Sequence, residues 1–169
     1  SPVNHLEIIG KAEKHIELKD RFFLGSSFKG KWSSNGYQPY FSQRGFGFDD
    51  YVRGYEYYVV DGQDFWLSKT VLKYALIEKT NFNIPYVKMK QFNKSHYSLY
   101  LGLFSDMGYV IDEQTNEHNT LSNSLLWGNG ISLDYVTYYD KLLRIEFSAN
   151  HLGEKGVFLH FSNPFGVKK

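Results

Sequence analysis

The segment Tyr97-Ser98-Leu99-Tyr100-Leu101-Gly102-Leu103-Phe104-Ser105-Asp106-Met107-Gly108-Tyr109 carries the clearest strand pattern in this chain. Its odd positions hold mainly leucine, methionine and tyrosine, whereas its even positions include Gly102, Asp106 and Gly108. Side chains of a β-strand point to alternate faces, so this alternation predicts a strand with one apolar face and one polar face.

The same alternation predicts six further strands and essentially no helix. These strands cover residues 5–17, 21–32, 64–77, 121–138, 143–148 and 156–165. The first of them is also compatible with a short amphipathic helix. Irregular connections are expected at residues 33–63, 78–95 and 112–119, with tight turns at 18–20 and 139–140. The sequence therefore predicts an all-β fold, an antiparallel meander of about seven strands.

The composition excludes several classes of function. The chain has 169 residues, a net charge of +1 and no cysteine. Its length fits one domain or one part of a larger one. Its nearly neutral net charge does not indicate binding to nucleic acid. The absence of cysteine excludes disulfides, thiolate metal sites and cysteine nucleophiles. No segment approaches the ~18 consecutive apolar residues of a membrane-spanning helix.

Strand length and aromatic placement favour a membrane β-barrel over a soluble sandwich. Tyr97 and Tyr109 bracket the leucines of one strand, and Trp127 and Tyr135 bracket the apolar residues of another. Aromatic residues collect at both ends of the strands in outer-membrane barrels. The predicted strands also reach the ~9–11 residues that cross a bilayer at a tilt. A soluble all-β binding module remains the alternative.

Seven strands cannot close a bacterial barrel, which normally has an even number of at least eight. Two unpaired edges inside hydrocarbon cost several kcal/mol for each unsatisfied backbone group. We therefore expect the whole chain, residues 1–169, to form part of a larger barrel or a subunit completed by another chain. The start at Ser1-Pro2 shows no signal-peptide pattern, so we expect a removed leader or the later part of a longer protein.

Four motifs occur in order along the chain. They are Val52-Arg53-Gly54-Tyr55 in the long connection, Phe104-Ser105-Asp106-Met107-Gly108, Gly128-Asn129-Gly130, and an aromatic-ended final strand from Gly156 to Phe165. Between residues 21 and 165 this set resembles the C-terminal part of the barrel of the BamA/TamA superfamily, the bacterial surface antigen family of outer-membrane proteins. A four-residue loop motif alone is weak, whereas the ordered set is specific.

The resemblance implies a structural role for each motif. The loop 33–63 folds back into the barrel lumen, where Arg53 pairs with Asp106 on the wall. The residues implied are Val52, Arg53, Gly54 and Tyr55 of the loop, Phe104, Asp106, Gly108, Gly128 and Gly130 of the strands, and Gly156, Phe158, Phe161 and Phe165 of the last strand.

The resemblance also implies a non-enzymatic function in the bacterial outer membrane, the assembly and insertion of outer-membrane proteins or their translocation. The implied partners are the rest of the same barrel, outer-membrane lipids, substrate outer-membrane proteins and accessory lipoproteins, with no nucleic acid and no cofactor. A passive pore or structural barrel subunit without insertase activity is the alternative. The family's periplasmic domains and first strands are not among these residues.

One position departs from the family pattern. The family often has a glutamate on the strand after the loop, as a second partner of the arginine. The equivalent position here is Val71, between Lys69 and Lys73. Arg53 is therefore expected to depend more on Asp106, or on acids of its own loop, namely Asp49, Asp50 and Glu56.

Acidic and histidine residues elsewhere do not form an obvious enzyme or metal site. Glu146 and Asp134 occupy neighbouring polar faces, but Arg144 beside them favours a structural charge network over acid–base catalysis. The six histidines are scattered, so His151 and His160 are interpreted as polar residues rather than ligands, and no metal is predicted. No nucleophile–base arrangement, phosphate loop or redox motif is present.

Overall fold

The computed structural model describes residues 6–34, 44–47, 49–83, 94–113, 119–137 and 141–162. Nine strands occur in this part of the chain: β1 (Glu7–Glu17), β2 (Phe22–Ser33), β3 (Arg44–Phe46), β4 (Val60–Asp61), β5 (Asp64–Asn83), β6 (Lys94–Ile111), β7 (Leu125–Val136), β8 (Leu142–Asn150) and β9 (Lys155–Ser162). Seven of them form one antiparallel sheet in the order β1-β2-β5-β6-β7-β8-β9, and β3 pairs with β4 separately.

The predicted all-β fold and antiparallel seven-strand meander are confirmed. Residues 7–17 form an edge strand rather than the alternative helix, because each of them pairs with β2. Among the described residues no helix is long and apolar enough to span a membrane.

The connections differ in part from their predicted form. Residues 78–83 and 94–95 are strand rather than loop, because β5 and β6 continue to pair as far as Asn83 and Lys94. Residues 121–124 form a turn instead of the start of β7. Within the long connection 33–63, Ser33 ends β2, and β3 and β4 make a short hairpin. The predicted turn at 139–140 and the final residue of the last motif, Phe165, lie outside the described residues.

The sheet has two faces of opposite character. We call the face covered by residues 44–47 and 49–63 the loop face, and the opposite one the outer face. A small core of Phe46, Val52, Tyr55, Val60, Phe65, Leu67, Val110 and Leu126 packs between the loop and the sheet. Large apolar side chains on the outer face are instead exposed, with Leu103 at 56% and Leu159 at 69%. The hydrophobic core therefore lies on the side that also carries the charged residues.

The sheet is curved but open. Its order runs from β1 at one edge to β9 at the other, and these two strands do not pair with each other. A hollow of about 340 Å³ on the loop face is lined by residues of β1 and β2 on one side and of β8 and β9 on the other. The two ends of the sheet thus curl toward each other around the docked loop.

The register between β6 and β7 brings two of the sequence motifs side by side. Phe104 lies opposite Gly130, and Asp106 lies opposite Gly128. A carboxylate and an aromatic ring therefore each have a glycine as their cross-strand neighbour on the loop face. This arrangement leaves room for a third segment to approach the sheet.

Candidate functional site

The motif segment forms a compact turn against the loop face. The Tyr55 amide donates to the Val52 carbonyl at 3.0 Å, and the Tyr58 amide donates to the Tyr55 carbonyl at 2.9 Å. Gly54 has φ +94°, in the left-handed region that favours glycine. Val52, Arg53 and Tyr55 are all buried. The turn therefore presents three buried side chains to the sheet, with a glycine between the second and the third.

The ion pair predicted between Arg53 and Asp106 is present, and it is bidentate. The Arg53 Nε and NH2 atoms donate to the two carboxylate oxygens of Asp106 at 2.7 and 2.6 Å, and the Arg53 amide donates to Oδ2 at 3.3 Å. Asp106 has no exposed surface and Arg53 is 7% exposed. The planar fork of a guanidinium matches a carboxylate in this geometry, which a lysine cannot reproduce. The pair fixes the loop to the middle of β6.

Two further groups complete the surroundings of the guanidinium. Its Cζ atom lies 3.9 Å from the centroid of the Phe104 ring, a cation–π contact that strengthens where water is excluded. NH1 lies 3.5 Å from Oε1 of Glu146. Burial by itself lowers the pKa of Arg53, but the hydrogen bond and charge of Asp106 raise it above its ordinary value. Arg53 is therefore held in its charged form.

The glycines of the strand motifs provide the space that the loop occupies. A Cβ atom on Gly128 would lie 1.8 Å from the Arg53 carbonyl oxygen. A Cβ on Gly108 would lie 2.5 Å from the Phe46 ring, and one on Gly130 would lie 2.6 Å from the Phe104 ring. Real Cβ atoms do not approach other atoms this closely. Side chains at these positions would therefore displace the loop or the ring that contacts the guanidinium.

The second acidic partner of Arg53 comes from β8 and not from the loop. Glu146 is 1% exposed and faces Arg53 from the sheet. The loop acid Asp50 instead binds the Lys29 ammonium at 2.6 Å, and Glu56 accepts a hydrogen bond from the Gly54 amide at 2.8 Å. Of the two expectations, strong dependence on Asp106 agrees with the bidentate pair, whereas Asp50 and Glu56 make other contacts and Glu146 is the second acid near Arg53.

A charge network surrounds this site, as the sequence analysis predicted for Asp134, Arg144 and Glu146. Arg144 makes a bidentate pair with Asp134 at 2.6 and 2.8 Å. Lys73 reaches the same carboxylate at 2.6 Å, and Arg144 lies 3.6 Å from Glu146. Lys69 lies over the Tyr51 ring at 4.3 Å. The cations beside Val71 therefore have partners of their own on the loop face.

The turn between β8 and β9 holds the other end of the motif. Asn150 Nδ2 donates to the Gly54 carbonyl at 2.9 Å, and the Tyr58 hydroxyl donates to Glu154 at 2.8 Å. The Tyr55 hydroxyl and His151 Nδ1 form a short hydrogen bond. The sequence analysis did not identify Asn150, Glu154 and Tyr58, because a short polar turn does not indicate which distant segment it will contact.

The predicted residues of the last strand divide between the two faces. Phe158 faces the loop, with its ring centroid 5.3 Å from that of Tyr57, and Gly156 lies beside it, since an added Cβ would come 2.5 Å from the Phe158 ring. Phe161 points to the outer face, where it is 68% exposed. Of the residues of this motif that the structure describes, Gly156 and Phe158 are therefore part of the site around the motif loop, and Phe161 is not.

Comparisons with known proteins find no matching family model, curated protein or solved structure for this chain. The functional interpretation therefore rests on the motifs and on the geometry of the residues described above.

Replacing Arg53 by alanine should strongly destabilise the fold, because it leaves the Asp106 carboxylate buried and unpaired. Breaking a buried pair from one side typically costs about 3–5 kcal/mol. The measurement is the free energy of unfolding in denaturant. Lys11→Ala is the matched control, because its pair with Glu13 is about half exposed on both sides and exposed ion pairs contribute little to stability. Equal effects of the two substitutions would contradict the bracing role of Arg53.

Adding a single methyl group at Gly128 should release the loop. Gly128→Ala brings the new Cβ against the Arg53 carbonyl, and overpacking of this kind costs at least about 1–3 kcal/mol. Limited proteolysis should show faster cleavage at the exposed Tyr57. In Gly30→Ala, the nearest atoms to the new Cβ lie 3.7 and 3.8 Å away, so its cleavage rate should match that of the unaltered chain.

Proposed function

We propose that this chain forms part of the wall of a β-barrel in the bacterial outer membrane. We further propose that this barrel assembles and inserts outer-membrane proteins, or translocates them, in the manner of the BamA/TamA superfamily. The observation that carries the proposal is the polarity of the sheet. Its outer face is apolar and exposed, whereas its loop face holds buried ion pairs under a docked loop.

The apolar side chains of the outer face form continuous rows across the strands. Leu101, Leu133, Ile145 and Leu159 are successive cross-strand neighbours from β6 to β9. A second row consists of Leu103, Ile131, Phe147 and Val157, and all eight side chains are exposed. Soluble monomers rarely expose an apolar surface this extended. Contact with lipid hydrocarbon removes the cost of exposing it to water.

The loop face supports the same assignment. Its strands carry Lys73, Asp106, Asp134, Arg144 and Glu146, which pair with one another or with Arg53. Charged residues are costly in hydrocarbon but belong on the polar interior side of a membrane barrel. The hollow of about 340 Å³ beside them is consistent with the inner space of such a barrel.

The two open edges imply partner strands. Among the described strands, β1 and β9 each have one neighbour in the sheet, so within the described part of the chain one row of backbone groups on each has no strand partner. In a bilayer these groups must be paired with protein, because no water satisfies them. We propose that further strands of the barrel, from the same protein or from another chain, pair with both edges.

The proposed activity uses backbone hydrogen bonds and no enzyme chemistry. A substrate strand can pair with an available sheet edge by β-augmentation, which needs neither a nucleotide nor a cofactor. β9 is such an edge, and its side chains Phe158 and His160 contact Tyr57 and Tyr51 of the motif loop. The loop can therefore brace β9 while its outer edge exchanges partners. Substrate outer-membrane proteins and accessory lipoproteins are the proposed partners.

Arginine in the middle of the outer face should prevent stable membrane integration. Leu133→Arg places a charge within the apolar rows, at a cost of about 2–4 kcal/mol near the bilayer midplane. The measurement is recovery of the folded chain in lipid vesicles after urea washing. Val59→Arg serves as the control, because Val59 is also exposed, at 60%, but belongs to the loop. A chain that stays folded and monomeric without detergent or lipid would instead favour a soluble binding module.

Breaking the Arg53 pair should slow insertion of other barrels. Vesicles carrying the barrel that contains this chain should accelerate folding of a urea-denatured outer-membrane protein, and Arg53→Ala or Asp106→Ala should reduce that acceleration. The Lys11→Ala variant should retain it. Ion conductance without any acceleration would identify a passive pore or structural subunit, and unchanged acceleration in both site variants would refute the bracing role.

A further inference from the structure

Three side chains that are far apart in the sequence lie close together on the loop face, beside the last two strands of the sheet. Glu56 comes from the motif loop, Glu146 from β8 and His160 from β9. Each offers one ligand atom, and the three atoms lie within 4.8 Å of one another. Glu146 and His160 also line the hollow on the loop face.

The atoms that face each other in this cluster have no hydrogen-bond partners. Glu56 Oε1, Glu146 Oε2 and His160 Nε2 are each buried without one. Glu146 Oε2 and His160 Nε2 are 3.1 Å apart, but they do not meet the geometry of a hydrogen bond. Buried polar atoms are normally satisfied, and Glu146 as a whole is 1% exposed. One unsatisfied polar atom on each of three clustered side chains indicates a missing ligand.

The neighbouring cations leave these acids available. Arg53 makes its bidentate pair with Asp106, and Arg144 makes its own with Asp134. Both approach only Oε1 of Glu146, at the longer distances of 3.5 and 3.6 Å. Neither guanidinium therefore approaches Oε2 of Glu146, which lies 3.1 Å from His160 Nε2, and Oε1 of Glu56 has no hydrogen-bond partner.

We propose that Glu56, Glu146 and His160 bind a divalent transition-metal ion. An imidazole nitrogen with two carboxylate oxygens suits Zn²⁺ and similar ions, whereas Ca²⁺ and Mg²⁺ prefer oxygen ligands alone. Ligands about 2.0–2.2 Å from a tetrahedral ion lie about 3.3–3.6 Å apart. Glu146 and His160 already have nearly this separation, so a small movement of the Glu56 side chain, whose residue lies on the loop, completes the site.

A bound ion would join the motif loop to the last two strands. Glu56 lies three residues after Arg53, so the ion would add a second attachment beside the Arg53–Asp106 pair. It would also connect β9 to the loop through His160, whose ring stacks on Tyr51 at 6.5 Å. All three ligands belong to this chain, so the site does not depend on the proposed position in a membrane.

Titration of the chelator-treated chain with Zn²⁺ in a calorimeter tests the site. We expect saturable binding of one ion per chain. His160→Gln and Glu56→Gln should each weaken binding at least about tenfold, since even residues that only support metal ligands cost about 10–100-fold when lost. His15→Gln is the matched control, because His15 lines the same hollow but lies outside the cluster, and its affinity should not change.

Two further measurements make the test independent of the stability of any variant. Co²⁺ in place of Zn²⁺ should give the visible absorption of a site with nitrogen and oxygen ligands in the unaltered chain. Zn²⁺ should also slow proteolytic cleavage at Tyr57, which is 84% exposed on the loop. Absence of saturable binding to the unaltered chain, or equal affinity in the His160→Gln, Glu56→Gln and His15→Gln variants, would overturn the proposal.

Discussion

The structure depends on one buried, bidentate ion pair between a loop and a sheet. Arg53 and Asp106 are almost completely withdrawn from solvent, so each charge is tolerable only because the other is there. The pair needs a sheet surface that a peptide backbone can approach, and the glycine at position 128 provides it. Loop conformation, strand register and charge placement are therefore coupled, because a change in any one of them separates the two groups.

The polarity of the sheet is the reverse of that in an ordinary soluble domain. Apolar rows led by Leu101 and Leu103 face outward, while Asp106, Asp134 and Glu146 are buried beneath the loop. A sheet in water gains stability by covering its apolar face, and a sheet in lipid gains it by covering its polar face. The docked loop does the latter here. This polarity is the feature of the fold that supports the proposed position of the chain in a membrane barrel.

The site around the loop has more components than the motif that indicates it. The β8–β9 turn holds the Gly54 carbonyl through Asn150, and Glu146 approaches both guanidiniums. Glu146 also lies beside His160, so its carboxylate connects the Arg53–Asp106 pair to the cluster of Glu56, Glu146 and His160. The last strand is thus connected to the loop at several points, although β9 itself is an open edge of the sheet. A strand held in this way can stay attached through its loop face while its free edge pairs with another strand.

The sequence by itself determined the strands, their polarity and the pair at the centre of the site. Alternation of side chains is a local property of extended backbone, so segments such as 97–109 and 125–136 reveal their two faces without any tertiary information. The motif resemblance identified Arg53 and Asp106 as partners. Tertiary structure alone decided that the strand pairing of β5 and β6 extends through residues 78–83, that the second acid is Glu146 rather than a loop residue, and that Glu56, Glu146 and His160 converge. These features arise from contacts between residues up to about a hundred positions apart. The local alternation of apolar and polar side chains does not indicate which loop will contact a given face of the sheet.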